Sequence, residues 1–119
     1  MQRLMCKSKI NRAKITKRDL HYSGSIGIDK ALLDASNIIP NEKVQIVNIN
    51  NGSRFETYVI EEAKNSGIIA FYGPATYQGE IGDLITIISY CLVDEKETRS
   101  ITPKIIPVDS ENRPIKKKK

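Results

Sequence analysis

Residues 53–60, SRFETYVI, carry two side chains suited to chemistry on a carboxylic acid. If this stretch is a β-strand, the alternation of side chains places Arg54 and Tyr58 on one face and Thr57 on the other. An arginine offers a bidentate hydrogen-bonding fork to a carboxylate, and a tyrosine offers an O–H that can donate a proton. The same pattern is also typical of a half-exposed strand whose arginine lies over a barrel surface. On these residues alone, that structural interpretation is the simpler one.

The Gly24–Ser25 peptide bond, within Tyr22-Ser23-Gly24-Ser25, is a second candidate. Serine and glycine are common turn residues, so the four residues taken alone predict a plain turn. Gly24 lacks a Cβ, however, and can hold a strained geometry that leaves its carbonyl open to attack. The Ser25 Oγ can form a five-membered ring with that carbonyl. An N-to-O acyl shift followed by elimination would then leave a pyruvoyl group at a new N-terminus, so the bond is either a turn or a site of self-cleavage.

The size and composition of the chain indicate one domain without a membrane segment. Its 119 residues are enough for a core that needs no disulfide or metal, and 28% of them are charged. No stretch approaches the roughly 20 apolar residues of a membrane span. The first residues lack the apolar region of a secretory signal, so we expect a cytoplasmic protein with no membrane partner. Four of the five excess positive charges come from Lys116–Lys119, which leaves the body of the chain near neutral and predicts no nucleic-acid partner.

Several kinds of catalytic site lack the residues that they need. The chain contains one histidine, His21, and two cysteines, Cys6 and Cys91, which lie far apart in the sequence. One chain therefore cannot assemble a zinc site of ordinary composition, and we expect no metal. The scarcity of histidine also argues against a hydrolase triad, and without Walker or GxGxxG sequences nucleotide chemistry has no support.

Proline and glycine divide the chain into short runs rich in isoleucine and valine, which is typical of a small β-sandwich or barrel. Asn51-Gly52 favours a tight hairpin turn between two predicted strands. Asp29 is suited to cap a helical stretch, residues 28–36, and residues 74–80 predict a single helical turn. From Asp109 onward the sequence is polar and predicts a loose tail. The predicted strands are 43–49, 53–60, 67–73, 82–93 and 103–108, the last of them an edge strand.

The chain contains four motifs, which are, in order, Lys9, Tyr22-x-Gly24-Ser25, Asn51-Gly52-x-Arg54-Phe55-x-Thr57-Tyr58 and Gly82-Asp83. Taken together, these motifs resemble those of the pyruvoyl-dependent aspartate 1-decarboxylases, which make β-alanine. The resemblance covers about residues 1–110 with similar spacing throughout. It implies a mainly β fold, a double-psi β-barrel with short helices in a single domain, which agrees with the strands predicted from the residues.

The resemblance implies that the precursor cuts its own chain between Gly24 and Ser25. Residues 1–24 would become a small β chain, and residues 25–119 an α chain whose covalent cofactor, a pyruvoyl group, derives from Ser25. The amine of L-aspartate then condenses with the pyruvoyl ketone as a Schiff base, and the α-carboxylate leaves as CO₂. The resemblance also implies a homotetramer with active sites between subunits, and leaves open whether a partner protein assists maturation. Residues 111–119 are expected to form a flexible basic tail.

Individual roles follow from the resemblance where the motif matches. Thr57 corresponds to the threonine whose hydroxyl assists maturation by hydrogen bonding near the glycine carbonyl. Tyr58 corresponds to the proton donor of the decarboxylation. Lys9 and Arg54 correspond to the two cations that bind the carboxylates of aspartate, in an order that the sequence leaves open. The resemblance places three further residues along the substrate pocket, namely Tyr22, Gly73 and Ala75.

The chain departs from the pattern of the family at the end of the third predicted strand, residues 67–73. It has Tyr72-Gly73-Pro74-Ala75 where many members have Asn-Gly-Ala-Ala, so a bulky phenol replaces an amide and a proline removes one backbone N–H. This departure favours an alternative function, that of an uncleaved, non-catalytic barrel acting as a binding or regulatory protein. The leading interpretation is pyruvoyl-dependent decarboxylation of L-aspartate to β-alanine for pantothenate and coenzyme A synthesis.

Overall fold

Strands rich in isoleucine make up most of the regular secondary structure, because β-branched side chains pack well on a pleated, half-buried surface. The computed structural model describes residues 1–115, and Lys116–Lys119, part of the predicted basic tail, lie outside the described residues. The helical elements of the described chain are α1 (Lys30–Ser36) and two 3-10 helices, η1 (Gly73–Gln78) and η2 (Glu95–Ser100). The strands are β1 (Gln2–Lys14), β2 (Lys17–Asp19), β3 (Ser25–Asp29), β4 (Lys43–Asn48), β5 (Arg54–Glu62), β6 (Ile69–Tyr72), β7 (Leu84–Asp94) and β8 (Lys104–Pro107).

The strands form one mixed sheet in the order β2-β6-β3-β5-β4-β7-β1-β8. Three neighbouring pairs are parallel, namely β2 with β6, β3 with β5 and β1 with β8. Parallel neighbours need crossover connections, so strands that are distant in sequence meet around one core. Within the described residues, the strands at the two ends of this order, β2 and β8, are not paired with each other. The architecture is mainly β and is consistent with the predicted double-psi β-barrel.

Side chains from one face of each strand fill the core. In β4, Val44, Ile46 and Asn48 are buried, and the alternate residues are half-buried or exposed. β4 pairs antiparallel with β5, and the loop of residues 49–53 between them holds Gly52 at a φ of 75°. The hairpin predicted from Asn51-Gly52 is therefore confirmed, with a longer loop than a tight turn. Large and fully buried side chains include Phe71, Ile10, Ile15, Ile26, Ile28, Leu32, Ile46, Ile69, Ile85 and Ile87.

The helix α1 begins where the sequence predicts. The Asp29 carboxylate accepts a hydrogen bond from the Ala31 N–H at 2.8 Å, which satisfies one of the free N–H groups of the first helical turn. The same carboxylate accepts from the Asn65 and Gly67 N–H groups at 2.9 and 2.8 Å, so the cap also anchors a distant loop. Asn37 ends the helix in the left-handed conformation. Among residues 1–115, no helix is both long and apolar enough to cross a membrane.

The Gly82-Asp83 turn leads into β7. Gly82 has a φ of 96°, and its N–H donates to the Ile15 carbonyl oxygen at 2.8 Å. The Asp83 carboxylate accepts hydrogen bonds from the Glu80 N–H at 2.9 Å and from Asn48 Nδ2 at 3.0 Å. These hydrogen bonds stabilise the ionised carboxylate and so lower the pKa of Asp83. The turn thus connects β7 with the ends of β1 and β4.

Three strands near the N-terminus were not predicted from the sequence. β1 is mostly polar, β2 has only three residues, and β3 contains a glycine. β1 is a strand because it pairs with β7 on one side and with β8 on the other. Its register shifts between Cys6 and Ser8 and again between Ile10 and Ala13. Such shifts change the face to which the following side chains point, so β1 shows no simple alternation in its sequence.

The segment after β8 is folded against the sheet. Asn112 is buried, and its Oδ1 accepts a hydrogen bond from the Lys14 N–H at 2.8 Å. Its Nδ2 donates to the carbonyl oxygens of Lys14 and Gly67, both at 2.8 Å. Polar composition predicts a flexible tail over residues 111–119. Residues 111–115 depart from that prediction, because a buried side chain bonded to distant backbone groups holds them in place.

Candidate active site

A pocket of about 230 Å³ opens beside the Gly24–Ser25 peptide bond. Three separate segments form it, and the sheet order brings them together, because β3 lies between β5 and β6 and η1 follows β6. A larger depression of about 670 Å³ lies elsewhere, along β1 and η2, and none of the predicted site residues lines it. The smaller pocket is lined by Gly24, Ser25, Phe55, Glu56, Thr57, Pro74, Ala75 and Gln78.

Ser25 is fully buried as the first residue of β3. Its Oγ donates to the Ser23 carbonyl oxygen at 3.3 Å, a long hydrogen bond that holds the hydroxyl only loosely. The antiparallel pairing of β3 with β6 places Ser25 directly opposite Tyr72. Gly24 is half-buried at the wall of the pocket. The Gly24–Ser25 bond therefore joins an irregular loop to the first residue of a buried strand.

Position 73 requires glycine for steric reasons. Gly73 has a φ of 62°, and a Cβ there would lie 2.7 Å from the Tyr22 carbonyl oxygen and 2.8 Å from the Gly24 nitrogen. Both are backbone atoms, which cannot move aside as the end of a flexible side chain can. Pro74 packs against the same loop, since a Cβ at Gly24 would lie 3.3 Å from the Pro74 Cδ. The start of η1 is thus packed tightly against the loop that carries the Gly24–Ser25 bond.

Gly73→Ala is expected to destabilise the uncut chain far more than Gly52→Ala, its matched control. Both glycines have a positive φ, but a Cβ at Gly52 would meet nothing within 4 Å. Gly52→Ala therefore costs only the left-handed strain, about 1–2 kcal/mol. Gly73→Ala adds a backbone overlap and should cost about 3 kcal/mol or more. Denaturant unfolding in a Ser25→Ala background, which is expected to keep the chain whole, measures both, and equal losses would contradict the close packing.

η1 also holds the loop between β4 and β5. The Gln78 carbonyl oxygen accepts hydrogen bonds from Asn48 Nδ2 at 3.1 Å and from Asn51 Nδ2 at 3.0 Å. The Gln78 side chain accepts a further hydrogen bond from the Ser53 hydroxyl. Sequence reasoning missed Gln78, because the turn signal of the hairpin is local and its contact with η1 is not. These bonds fix the start of β5, the strand that carries Thr57 into the pocket.

The two faces of β5 are separated as the alternation predicts. Thr57 is half-buried and lines the pocket that contains Ser25. Arg54 and Tyr58 are exposed on the opposite face, where Tyr58 pairs across the strands with Lys43. Tyr58 and Lys43 line a shallow depression together with Glu56 and Thr57, and these last two residues also line the Ser25 pocket. The two depressions therefore adjoin along β5, but of Thr57, Arg54 and Tyr58 only Thr57 lines the Ser25 pocket.

The predicted site residues fall into two groups within one chain. Of the described residues, Lys9, Arg54 and Tyr58 are not among those that line the Ser25 pocket. Lys9 lies in β1, which β5, β4 and β7 separate from β3 in the sheet order. The other group surrounds the pocket. Its lining includes Gly24, Ser25, Thr57 and Ala75. Tyr22 and Gly73 pack closely against each other next to this lining.

Tyr72 lies next to the pocket without lining it. Its phenol donates to Glu62 Oε2 at 2.6 Å, and its ring packs against the Tyr22 ring with centroids 4.8 Å apart. Lys17 Nζ lies 5.5 Å from the centre of the Tyr72 ring. Burial and the hydrogen bond to the Glu62 carboxylate raise the pKa of Tyr72, because both favour the neutral phenol over the phenolate. Sequence reasoning also missed Glu62, which carries no local signal at the end of β5.

The fold and the site define a small, mainly β protein whose pocket is built around a Gly-Ser peptide bond. Within residues 1–115, no three His, Cys, Asp or Glu side chains are grouped so as to hold a metal ion. The family model described as aspartate decarboxylase matches residues 1–115. The chain belongs to the aspartate decarboxylase family.

Individual relatives support the same family assignment. The chain is 51% identical over 115 residues to the aspartate 1-decarboxylase of Thermoanaerobacter pseudethanolicus, and the match covers 97% of this chain and 98% of that one. It is 55% identical over 109 residues to the aspartate 1-decarboxylase of Cytophaga hutchinsonii, with 92% and 95% covered. It is 53% identical over 112 residues to the aspartate 1-decarboxylase of Carboxydothermus hydrogenoformans, with 94% and 88% covered. The similarity therefore extends over nearly the whole of each chain.

Proposed function

We propose that this chain decarboxylates L-aspartate to β-alanine and CO₂, as a cytoplasmic carboxy-lyase that supplies pantothenate and coenzyme A synthesis. Relatives that carry the name aspartate 1-decarboxylase are about half identical to it over nearly its whole length. The observation that carries the proposal is the buried Ser25 side chain, at the wall of a pocket that it shares with Gly24 and Thr57. A serine hydroxyl beside a glycine carbonyl has the atoms that self-cleavage needs.

In the proposed maturation, the Ser25 Oγ attacks the Gly24 carbonyl carbon, and the C–N bond between the two residues breaks to give an ester and a free amine. Loss of the Ser25 Cα proton then releases Gly24 as a carboxylate, and water replaces the nitrogen of residue 25, which leaves as ammonia. The products are a β chain of residues 1–24 and an α chain of residues 25–119 that begins with a pyruvoyl group. Thr57 is the hydroxyl-bearing neighbour suited to stabilise charge on the Gly24 oxygen.

The surroundings of Ser25 fit a pyruvoyl group as the covalent cofactor. The Ser25 side chain is excluded from bulk solvent, and Phe55, Pro74 and Ala75 make much of the pocket wall apolar. Such a wall limits the access of water to a reactive carbonyl. When formed, the pyruvoyl ketone supplies an electron sink for the loss of CO₂ from the bound amino acid.

Lys9 and Arg54 are proposed to bind the two carboxylates of aspartate, and Tyr58 to hold the proton delivered to the decarboxylated carbon. Within the described chain, neither cation forms a salt bridge. Arg54 and Tyr58 do not line the pocket of their own chain, so we propose that they serve the Ser25 of a neighbouring copy in a homotetramer with active sites between subunits. Further pocket residues in this proposal are Tyr22, Gly73 and Ala75.

Intact-mass analysis and a product assay on purified protein test the proposal. During prolonged warm incubation we expect the whole chain to be replaced by fragments 1–24 and 25–119, the larger lighter by one ammonia than a fragment that begins with serine. The cleaved protein should release one CO₂ for each β-alanine formed from L-aspartate. Cleavage only in a cell extract would indicate a maturation partner protein. A chain that stays whole in both settings and forms no β-alanine would support the alternative, an uncleaved and non-catalytic barrel.

A further inference from the structure

Glu62 reaches Tyr72 across a gap that a glycine provides. The Glu62 carboxylate lies over Gly27, where a Cβ would overlap its Oε2 atom. Oε2 is the atom that accepts the Tyr72 phenol hydrogen at 2.6 Å, a distance typical of a strong, charge-assisted hydrogen bond. Gly27 and Tyr72 lie on neighbouring strands, since β3 pairs with β6. The end of β5 is thereby linked across β3 to the end of β6.

Tyr72 contacts the chain on both sides of the Gly24–Ser25 bond. Before the bond, its ring packs against the Tyr22 ring, with centroids 4.8 Å apart. After the bond, it is the cross-strand partner of Ser25. Tyr22 itself is half-exposed and lies in a loop, so the ring of Tyr72 is the buried surface on which it rests. Burial and the Glu62 carboxylate raise the pKa of Tyr72, which strengthens the hold of the phenol on the proton that it donates to Glu62.

We propose that Tyr72, held in place by Glu62, is a positioning residue for the self-cleavage of the Gly24–Ser25 bond. The hydrogen bond fixes the Tyr72 ring, and the ring fixes the loop that ends at Gly24 relative to the Ser25 strand. The attack of Ser25 Oγ on the Gly24 carbonyl requires the loop and the strand to be aligned with each other. A small misplacement of either one greatly slows such a reaction. The inference rests on the proposed function, since it concerns the maturation step of the same site.

The inference is tested by measuring how fast the freshly purified, uncut chain is cleaved. Intact-mass analysis follows the cleavage over time. Tyr72→Phe and Glu62→Ala each remove the hydrogen bond and should slow cleavage about tenfold, which is about 1.4 kcal/mol in barrier height. The double variant should be slowed by the same factor, because both changes remove one interaction. Glu62→Gln keeps an acceptor oxygen and should cleave within about twofold of the wild-type rate.

Matched controls separate the hydrogen bond from general effects of the substitutions. Tyr77→Phe alters a tyrosine that is 76% exposed on η1, and Glu61→Ala alters the exposed neighbour of Glu62, so both should cleave at the wild-type rate. Thermal unfolding of each variant shows whether it is folded, and rescue by Glu62→Gln is a result that general loss of stability does not produce.

The outcomes distinguish the inference from the function on which it rests. If the wild type is cut and Tyr72→Phe is cut equally fast, the inference is wrong and the proposed function stands. Additive slowing in the double variant, or Glu62→Gln as slow as Glu62→Ala, would also contradict it. A wild-type chain that is never cut, alone or in a cell extract, overturns the proposed maturation and the inference together.

Discussion

Replacing Ser25 by alanine should leave the chain whole and abolish the formation of β-alanine from L-aspartate. The substitution removes the oxygen that attacks the Gly24 carbonyl, so neither the ester nor the ketone derived from it can form. Decarboxylation should fall to the uncatalysed background, a loss of about a millionfold or more. Intact mass reports the state of the chain, and the release of CO₂ from L-aspartate reports the activity.

The fold of Ser25→Ala should survive, so that the loss can be assigned to chemistry. The Ser25 Oγ makes one long hydrogen bond, at 3.3 Å to the Ser23 carbonyl oxygen, and losing it costs about 1 kcal/mol or less. Ser23→Ala is the matched control, because residue 23 is exposed and contributes only its backbone carbonyl to that bond. It should be cut and active like the wild type. A Ser25→Ala protein that still decarboxylates aspartate would exclude a pyruvoyl group derived from Ser25.

Tyr58→Phe should leave cleavage intact and lower kcat about a hundredfold, the usual effect of removing a general acid. Tyr58 is 38% exposed and does not line the Ser25 pocket, so the loss of its O–H removes no group that is proposed to act in maturation. KM should change little, because Lys9 and Arg54 are proposed to bind the substrate carboxylates. Intact mass and steady-state kinetics on the fully cut protein measure the two effects separately.

Thr57→Val should impair cleavage and leave turnover intact, the reverse of the effect expected for Tyr58→Phe, and it serves as the matched contrast. Valine has nearly the same shape as threonine but no hydroxyl, and residue 57 lines the Ser25 pocket. We therefore expect slow cleavage, with normal turnover per cut chain once cleavage is complete. If Tyr58→Phe turned over aspartate at the wild-type rate, the assignment of Tyr58 as proton donor would be wrong. If both variants impaired the same step, the separation of roles between the faces of β5 would be wrong.

Features that depend on neighbouring residues could be predicted well from the sequence. The hairpin around Asn51-Gly52 and the cap at Asp29 are local, because the residues that interact are within a few positions of one another. β1 could not be predicted, since its bulges break the alternation and its pairing with β7 and β8 makes it a strand. The folding of residues 111–115 was missed for a similar reason, because Asn112 bonds to Lys14 and Gly67.

The sequence by itself determined the chemical groups of the site and the faces of β5 on which Arg54, Thr57 and Tyr58 lie. Side chains alternate along any strand, so these assignments need no knowledge of the rest of the chain. Only the tertiary structure decided which groups meet. The pocket combines residues 24–25, 55–57 and 74–78, which come together because β3 lies between β5 and β6. The contact between Glu62 and Tyr72 across β3 has the same origin, since the order of strands in a sheet depends on packing of the whole chain.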